Sequence, residues 1–208
     1  MNKWPVVLRS GDITLRPLRW RDAAAWREVR ARNVQWLREW EATLPPEAES
    51  EGEFLPTFTQ MVRRMRAEGR AGRALPWVID VDGALAGQVT VGGITYGSLR
   101  SAYIGYWIDQ RVANRGVMST AVALATDFCF EDLLLHRIEL NIRPENQPSL
   151  AVARKLGFRL EGERPAYLHI NGDWRDHLTF VLLAGDQPAG VLDRLQRSTS
   201  AHSDTPNS

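Results

Sequence analysis

Arg111-Val-Ala-Asn114-Arg115-Gly116 stands directly before a helical pattern that begins at Val117. Two arginines, an asparagine and a glycine at a helix start share one chemistry: together they can hold an anion. Backbone N–H groups in a first helical turn lack partners, and the helix dipole adds about half a positive charge there. Glycine lets a bulky ligand approach the backbone, and asparagine tolerates the dihedrals of a tight turn. The segment before it, Tyr-Ile-Gly-Tyr-Trp-Ile-Asp at 103–109, reads as a strand. A strand, a basic turn and a helix start form a nest that fits a pyrophosphate. A Walker A loop would need a Gly-Lys-Ser/Thr ending, and a dinucleotide fingerprint would need three glycines, so neither matches. Taken alone, the turn is equally compatible with a capped helix start whose arginines are solvated.

Other elements must position this turn. Residues 13–17 read as a short strand, and Asp22 offers an N-cap to a helix running through Trp26, Val29, Asn33, Leu37 and Trp40. After the polar loop Thr-Leu-Pro-Pro-Glu-Ala-Glu-Ser-Glu-Gly, the spacing of Phe54, Phe58, Met61, Val62 and Met65 predicts a helix over about 53–68. Its other face carries Arg63, Arg64 and Arg66, with Arg70 and Arg73 beyond, and reads as a solvated face. A hairpin through Asp82-Gly83 and a third strand at 102–109 form an antiparallel meander. The helix from Val117 leads to a strand at 137–143, where Ile138, Leu140 and Ile142 alternate with Glu139, Asn141 and Arg143. A strand–helix–strand crossover makes the strands at 102–109 and 137–143 parallel. A helix with Pro148 in its first turn stops at Gly157, and two strands flank Asn171-Gly172-Asp173. The order is β-α-α-β-β-β-α-β-α-β-β, a mixed sheet with helices on both faces. Residues 186–208 are polar and read as a poorly ordered tail with a short helical stretch at Val-Leu-Asp-Arg-Leu-Gln-Arg.

The 208 residues suit one domain, here 1–185, followed by that tail. The hydrophobic share of 44% allows a real core, and a net charge of +1 gives no overall field for nucleic acid or membrane. One cysteine, Cys129, excludes an internal disulfide or a cysteine metal cluster; it sits in an apolar helix and reads as core. No metal site is expected. Neither a signal-peptide stretch nor a spanning run is present, so a cytoplasmic protein is expected.

With these blocks in order, the sequence over about 12–183 resembles the GNAT superfamily of acyl-CoA-dependent N-acetyltransferases, and within it the RimJ/RimL type that acts on ribosomal proteins. The family's cofactor loop falls on Ala113-Asn114-Arg115-Gly116-Val117-Met118; Gly116 agrees, while Ala113 and Met118 depart from the general pattern. A second block, Arg137 to Phe158, resembles the family's strand, Asn-x-x-Ser and Lys-Leu-Gly-Phe. A third, Tyr167 to Leu182, resembles its closing hairpin.

The resemblance implies a mostly antiparallel seven-stranded α/β (α+β) sheet flanked by helices, splayed between the fourth and fifth strands. It implies acetyl-CoA as co-substrate: pantetheine along the open edge at Tyr106, Trp107 and Ile108, and diphosphate on Arg111, Asn114, Arg115, Gly116, Val117, Met118 and Ser119. Asn146 would bond the pantetheine arm; apart from the resemblance, an ordinary N-cap is the better account of it. Backbone N–H near Tyr106 or Trp107 would hold the thioester oxygen. Some relatives carry a glutamate where this chain has Asn141, which then faces the cofactor without acting as base. Ala153 occupies the place of a tyrosine used by some relatives, so Ser149 inherits the donor role toward the leaving thiolate.

The expected reaction is direct attack of a neutral amine on the thioester in a ternary complex. A protein α-amine has a pKa of about 7.7–8.0, so roughly a third is neutral at pH 7.5, against about one part in a thousand of a lysine. Such an acceptor needs only a modest base, which the residues leave open among Glu139, Glu161, Glu163, Asp176, His169 and His177. Trp36, Trp40, Tyr167 and Trp174, with Trp107, are the candidate acceptor groove. The N-terminus of a protein, ribosomal by resemblance, is the expected partner. A small-molecule amine is the alternative, as is a non-catalytic acyl-CoA-binding module. The acyl length and the choice between monomer and homodimer stay open.

Overall fold

The structure, a computed structural model, describes residues 4–50 and 56–203. Phe54 of the expected second helix lies outside the described residues. The strands are β1 (Leu8–Ser10), β2 (Ile13–Pro17), β3 (Leu75–Val81), β4 (Ala84–Thr95), β5 (Ser101–Ile108), β6 (Arg137–Ile142), β7 (Arg159–Ile170) and β8 (Asp173–Leu183). They form one sheet in the order β1-β2-β3-β4-β5-β6-β8-β7. The sheet is one strand larger than the seven expected, because β1 pairs with β2 across a turn at Gly11. Three residues show too little alternation to be recognised as a strand.

The helices are α1 (Ala23–Arg32), α2 (Val34–Arg38), α3 (Pro46–Ser50), α4 (Phe58–Arg70), α5 (Val117–Glu131), α6 (Gln147–Lys155) and α7 (Val191–Ser203). The single helix expected over 22–40 is broken at Asn33. Asp22 does not cap it, since the carboxylate instead takes two nitrogens of Arg16, at 2.7 and 3.2 Å, and the N–H of Arg19. In α4, Thr57 and Gln60 form a reciprocal cap. Residues 191–203, expected as a tail with a short helical stretch, form α7. Val191 and Leu195 are buried in the main core, and the Asp127 carboxylate accepts the N–H groups of Val191 and Leu192.

Two cores lie on opposite faces of the sheet. The larger joins β1–β6 and β8 to α5, α6 and α7, with Trp77 fully buried and edge-on to Phe128. The smaller packs Leu18, Val29, Val62, Val78 and Leu85 beneath α1 and α4, with Trp26 and Trp107 against it. Crossing through α5, β5 and β6 run parallel, as the crossover rule requires. The remaining pairs are antiparallel.

Candidate active site

The β5–β6 ladder holds only three pairs, Ser101 with Arg137, Ala102 with Ile138 and Tyr103 with Glu139. Beyond them β5 continues to Ile108 and β6 to Ile142, each still paired on its other side. The two strands therefore separate after Tyr103, and β5 from Ile104 onward presents an open edge inside the sheet. In an antiparallel ladder, alternate residues turn their N–H and C=O to opposite edges. Asp109 N–H donates to Ala86 C=O at 2.7 Å, so Asp109 and Trp107 face β4. Tyr106 and Ile108 face the opening. Of the three residues expected along this edge, Trp107 thus has its backbone engaged by β4. The approach is close: at Gly87 a Cβ would lie 2.4 Å from the Trp107 carbonyl oxygen, so a side chain there would push β5 away.

The turn at the end of β5 is held from behind. Asp109 accepts from Arg32 Nε and Nη2 at 3.0 and 2.5 Å, from Asn33 Nδ2 at 2.8 Å and from Arg111 N–H at 3.2 Å. Asn33 also accepts the Gln110 N–H at 3.0 Å and donates to the Val29 carbonyl at 2.8 Å. Burial would raise the Asp109 pKa, but these donors overcome it and hold the carboxyl below its ordinary value. Asn33 and Asp109 were not singled out as site residues in the sequence, because their partnership spans 76 residues. Trp36, expected in the acceptor groove, donates its indole N–H to Ile108 C=O at 3.1 Å and so braces the same strand end.

The anion nest expected before α5 has the required geometry. Asn114 (φ 61°) and Gly116 (φ 79°) are left-handed, and open space surrounds the position where a Gly116 Cβ would sit. The first helical hydrogen bond runs from Thr120 N–H to Gly116 C=O. The N–H groups of Val117, Met118 and Ser119 precede it and are free to point at a ligand. Their side chains are buried, so these residues can contribute through the backbone. Arg111 and Arg115 are exposed.

On the other wall, Asn146 caps α6 by accepting the Ser149 N–H at 3.1 Å, which leaves its amide NH₂ for another acceptor. Asn141 accepts the Thr179 hydroxyl at 2.9 Å. Tyr106 is half-buried, and its hydroxyl tip is sealed from solvent without a hydrogen bond of normal geometry. Burial pushes its pKa up to about 12, and only the neighbouring Ser149 hydroxyl acts the other way.

The opposite face of the sheet, which carries Trp107, Glu139, Asn141, Thr179 and His177, is walled by aromatics. Trp107 lies edge-on to Trp26 at 5.4 Å with the Arg30 guanidinium over it at 5.2 Å. Arg143 stacks over Trp40 at 5.1 Å and bonds Glu39 C=O at 2.8 Å. Residues 42–43 dock on the β7–β8 hairpin: Ala42 bridges Ile170, and His169 Nδ1 lies 2.8 Å from the Thr43 hydroxyl. Trp174 and Tyr167 lie on this hairpin, edge-on to His169 and His177. Trp40, Tyr167 and Trp174 are thereby placed around one end of β6 and the hairpin, while Trp36 belongs to the turn.

Several base candidates are already engaged. Glu139 is paired with Arg137 and Arg164, Glu161 with Arg137, and Asp176 accepts the Ala166 N–H at 2.7 Å. Nδ1 of buried His177 faces the Arg175 carbonyl at 3.0 Å; a carbonyl only accepts, so that nitrogen carries hydrogen and Nε2 keeps its lone pair. No group of three or more metal-ligating side chains occurs among the described residues. Two surface hollows, of about 480 and 400 Å³, lie along Arg19, Trp20, Arg21 and Arg66 and around Arg9, Arg16 and Asp80, and share no residue with this cleft.

Residues 12–159 match the family described as the acetyltransferase (GNAT) domain. The chain belongs to the GNAT acetyltransferase family. It is similar to [ribosomal protein uS5]-alanine N-acetyltransferase of Escherichia coli (strain K12), 28% identical over 190 residues that cover 89% of this chain and 94% of that protein. A match to probable N-acetyltransferase YjcK of Bacillus subtilis (strain 168) is 40% identical over 105 residues, half of this chain and 58% of that protein. Among solved structures, Mycobacterium smegmatis RimJ in complex with CoA-disulfide aligns with a TM-score of 0.86 and 39% identity, covering 94% of this chain and 96% of that one. The separated strands and the nest before α5 therefore belong to a fold whose relatives include a coenzyme A complex.

Proposed function

We propose that this acetyl-CoA-dependent N-acetyltransferase transfers the acetyl group to the N-terminal α-amine of a protein, of the ribosomal-protein class. The observation that carries the reading is the end of the β5–β6 ladder at Tyr103 and Glu139, which opens a strand edge directly beside the anion nest. The residues present fit the co-substrate. The open edge at Tyr106 and Ile108 can pair with pantetheine amides as an added strand does. The N–H groups of Val117–Ser119, with Arg111 and Arg115, can take the diphosphate. The co-substrate supplies an activated thioester. Edge N–H groups of Tyr106 and Ile108 can take the carbonyl oxygen, where developing charge needs preorganised donors. Asn146 can donate its free amide to the pantetheine arm.

The acceptor enters from the aromatic face between Trp107, Trp40 and the β7–β8 hairpin. An α-amine is substantially neutral near pH 7.5, so a neutral His177 or solvent suffices to accept its proton. Similarity to the uS5-alanine enzyme and to RimJ supports the protein N-terminus over a small amine.

The test is thiol release from acetyl-CoA with peptides bearing free N-terminal alanine or serine, the same peptides N-formylated but containing lysine, and a polyamine panel. Release is expected with the free α-amines alone; preference for polyamines would overturn the acceptor assignment. Gly116→Asp, which puts a carboxylate on the nest, is expected to lower coenzyme affinity at least tenfold with folding retained. Unchanged affinity would remove that turn from the site.

A further inference from the structure

Gly105 is exposed although β5 is the fifth of eight strands. Its backbone is extended, and a Cβ built on it would meet no atom of the described residues within 4 Å. Glycine weakens a strand interior and often marks a place where a ligand comes close. The neighbours on the same face are large, yet neither fills the gap. Tyr103 turns its ring across β4 over Gly92 and Gly93, where a Cβ would come within 2.8 and 2.7 Å of that ring respectively. Gly92 pairs with Tyr103 and Thr90 with Gly105, so the ring leans away from Gly105. Trp107 is held against the smaller core, edge-on to Trp26 and beneath the Arg30 guanidinium. The Thr90 hydroxyl accepts the Gln88 amide at 2.8 Å. These residues leave a slot floored by Gly105 and walled by Tyr103, Trp107 and Thr90, two residues beyond the last β5–β6 pair.

We propose that this slot takes the side chain of the acceptor's first residue, and that the bare backbone at Gly105 sets how large that residue can be. This rests on the reading of the protein as an N-terminal acetyltransferase. A carrier arm that starts from the nest after Ile108 runs back along the open edge, so its acyl end lies toward Gly105 and the closed ladder. An arm paired as an added strand has its carbonyl in the gap, close to the plane of the sheet, with the edge N–H near the carbonyl plane. The acyl methyl shares that plane. An amine must reach the carbonyl carbon from one face or the other. The main core closes one face, where Ile104, Leu140 and Ile142 are buried. The amine therefore arrives from the aromatic face, over Gly105.

The room is that of one absent side chain between two rings that are held in place. It suits a small first residue such as alanine or serine and sets a branched one against the rings. One methylene more or less in a fitted apolar pocket changes discrimination by about 10–200-fold, so a single Cβ at position 105 is enough to move the size limit. The same substitution leaves the fold alone, because the position is open and its backbone is already extended.

The test uses acetyl-CoA and peptides of one sequence that begin with glycine, alanine, serine or valine. Wild type is expected to acetylate the first three and to discriminate against valine. Gly105→Ala is expected to keep the glycine-first peptide and to lose about tenfold or more in kcat/KM for alanine and serine. Gly105→Val should silence all four peptides while calorimetry shows coenzyme A bound as tightly as in wild type. Neither variant should melt below wild type, since alanine frees the strand of a glycine and valine suits a strand. An unchanged profile in Gly105→Ala, or an equal loss for every first residue, would sink the size-setting role. A lowered melting point in both variants would show that the slot is filled by the protein itself and would overturn it too. Weakened coenzyme binding would give the slot to the carrier arm. An intact acceptor profile with propionyl-CoA newly rejected would give it to the acyl chain. A wild type that acetylates no peptide α-amine would overturn the N-terminal reading itself, a result that is read before any variant is made.

Discussion

His177 shows how one buried side chain ties this protein's stability to pH. Burial lowers its pKa below the usual 6.5, the Arg175 carbonyl raises it, Arg143 lowers it, and Glu145 and Asp176 raise it, with burial the largest influence. The unfolded chain therefore binds a proton at this residue at a higher pH than the folded chain does. Between the lowered folded value and about 6.5, the unfolded state holds more protons, so stability rises with pH across that window and is fully present above it. Urea midpoints measured from pH 5 to 7.5 are expected to fall on acidification. His177→Asn, whose amide can still donate to the Arg175 carbonyl, should show a shallower fall. Equal slopes would mean that another group sets the acid sensitivity. At this scale the sequence was informative where chemistry is local. Gly116 and Asn114 announced left-handed backbone, and Asn146 announced a cap. The condition of His177 and the closeness of the Tyr106 hydroxyl to Ser149 depend on neighbours contributed by other elements, and no local pattern records them.

The elements were legible where their periodicity was long. The meander, the strand with Ile138, Leu140 and Ile142 inward, and the closing hairpin all stand where alternation predicted them. The parting of β5 from β6 was legible only through family resemblance, since a strand that loses a neighbour halfway keeps its alternation. The break between α1 and α2 was missed for a related reason. Asn33 leaves the helix because its side chain serves Asp109 and Gln110, and an asparagine that bonds elsewhere competes with helical geometry. That break couples α1 to the nest. Asn33→Ala removes two donations and one acceptance, leaving Asp109 short of a partner inside a buried site. The expected cost is about 1–3 kcal/mol, with a raised KM for acetyl-CoA and a smaller effect on kcat, because the turn at Gln110 and Arg111 loses its anchor. Denaturant unfolding and initial-rate kinetics read both quantities. An unchanged KM would show that Arg32 alone keeps the turn in place.

Across the whole molecule, α7 connects parts of the cleft that lie far apart in sequence. Its first turn is capped by Asp127, in the last third of α5, and Arg194 lies over Gly157 just past the end of α6, where an added Cβ would come within 2.9 Å of the guanidinium carbon. Helix α5 carries the anion nest at one end and α6 carries Asn146 and Ser149, so α7 clasps the opposite ends of the two helices that flank the opening. Polar composition hid this in the sequence: among the described residues of α7, only Val191 and Leu195 are deeply buried, too sparse a stripe to stand out from a solvated tail. Leu195 is nonetheless core. Replacing a buried leucine by alanine costs about 2–5 kcal/mol, and a site on a helix with few buried residues, which can partly collapse, belongs at the lower end of that range. Leu195→Ala should therefore lower the urea midpoint by an amount corresponding to about 2 kcal/mol and raise the KM for acetyl-CoA several-fold, since α5 and α6 lose their common brace. Excess coenzyme should restore part of the loss, because a ligand at 100 times its Kd adds about 2.7 kcal/mol to the folded state. If Leu195→Ala changes neither quantity, α7 does not act as a clasp, and the width of the cleft is set by the sheet alone.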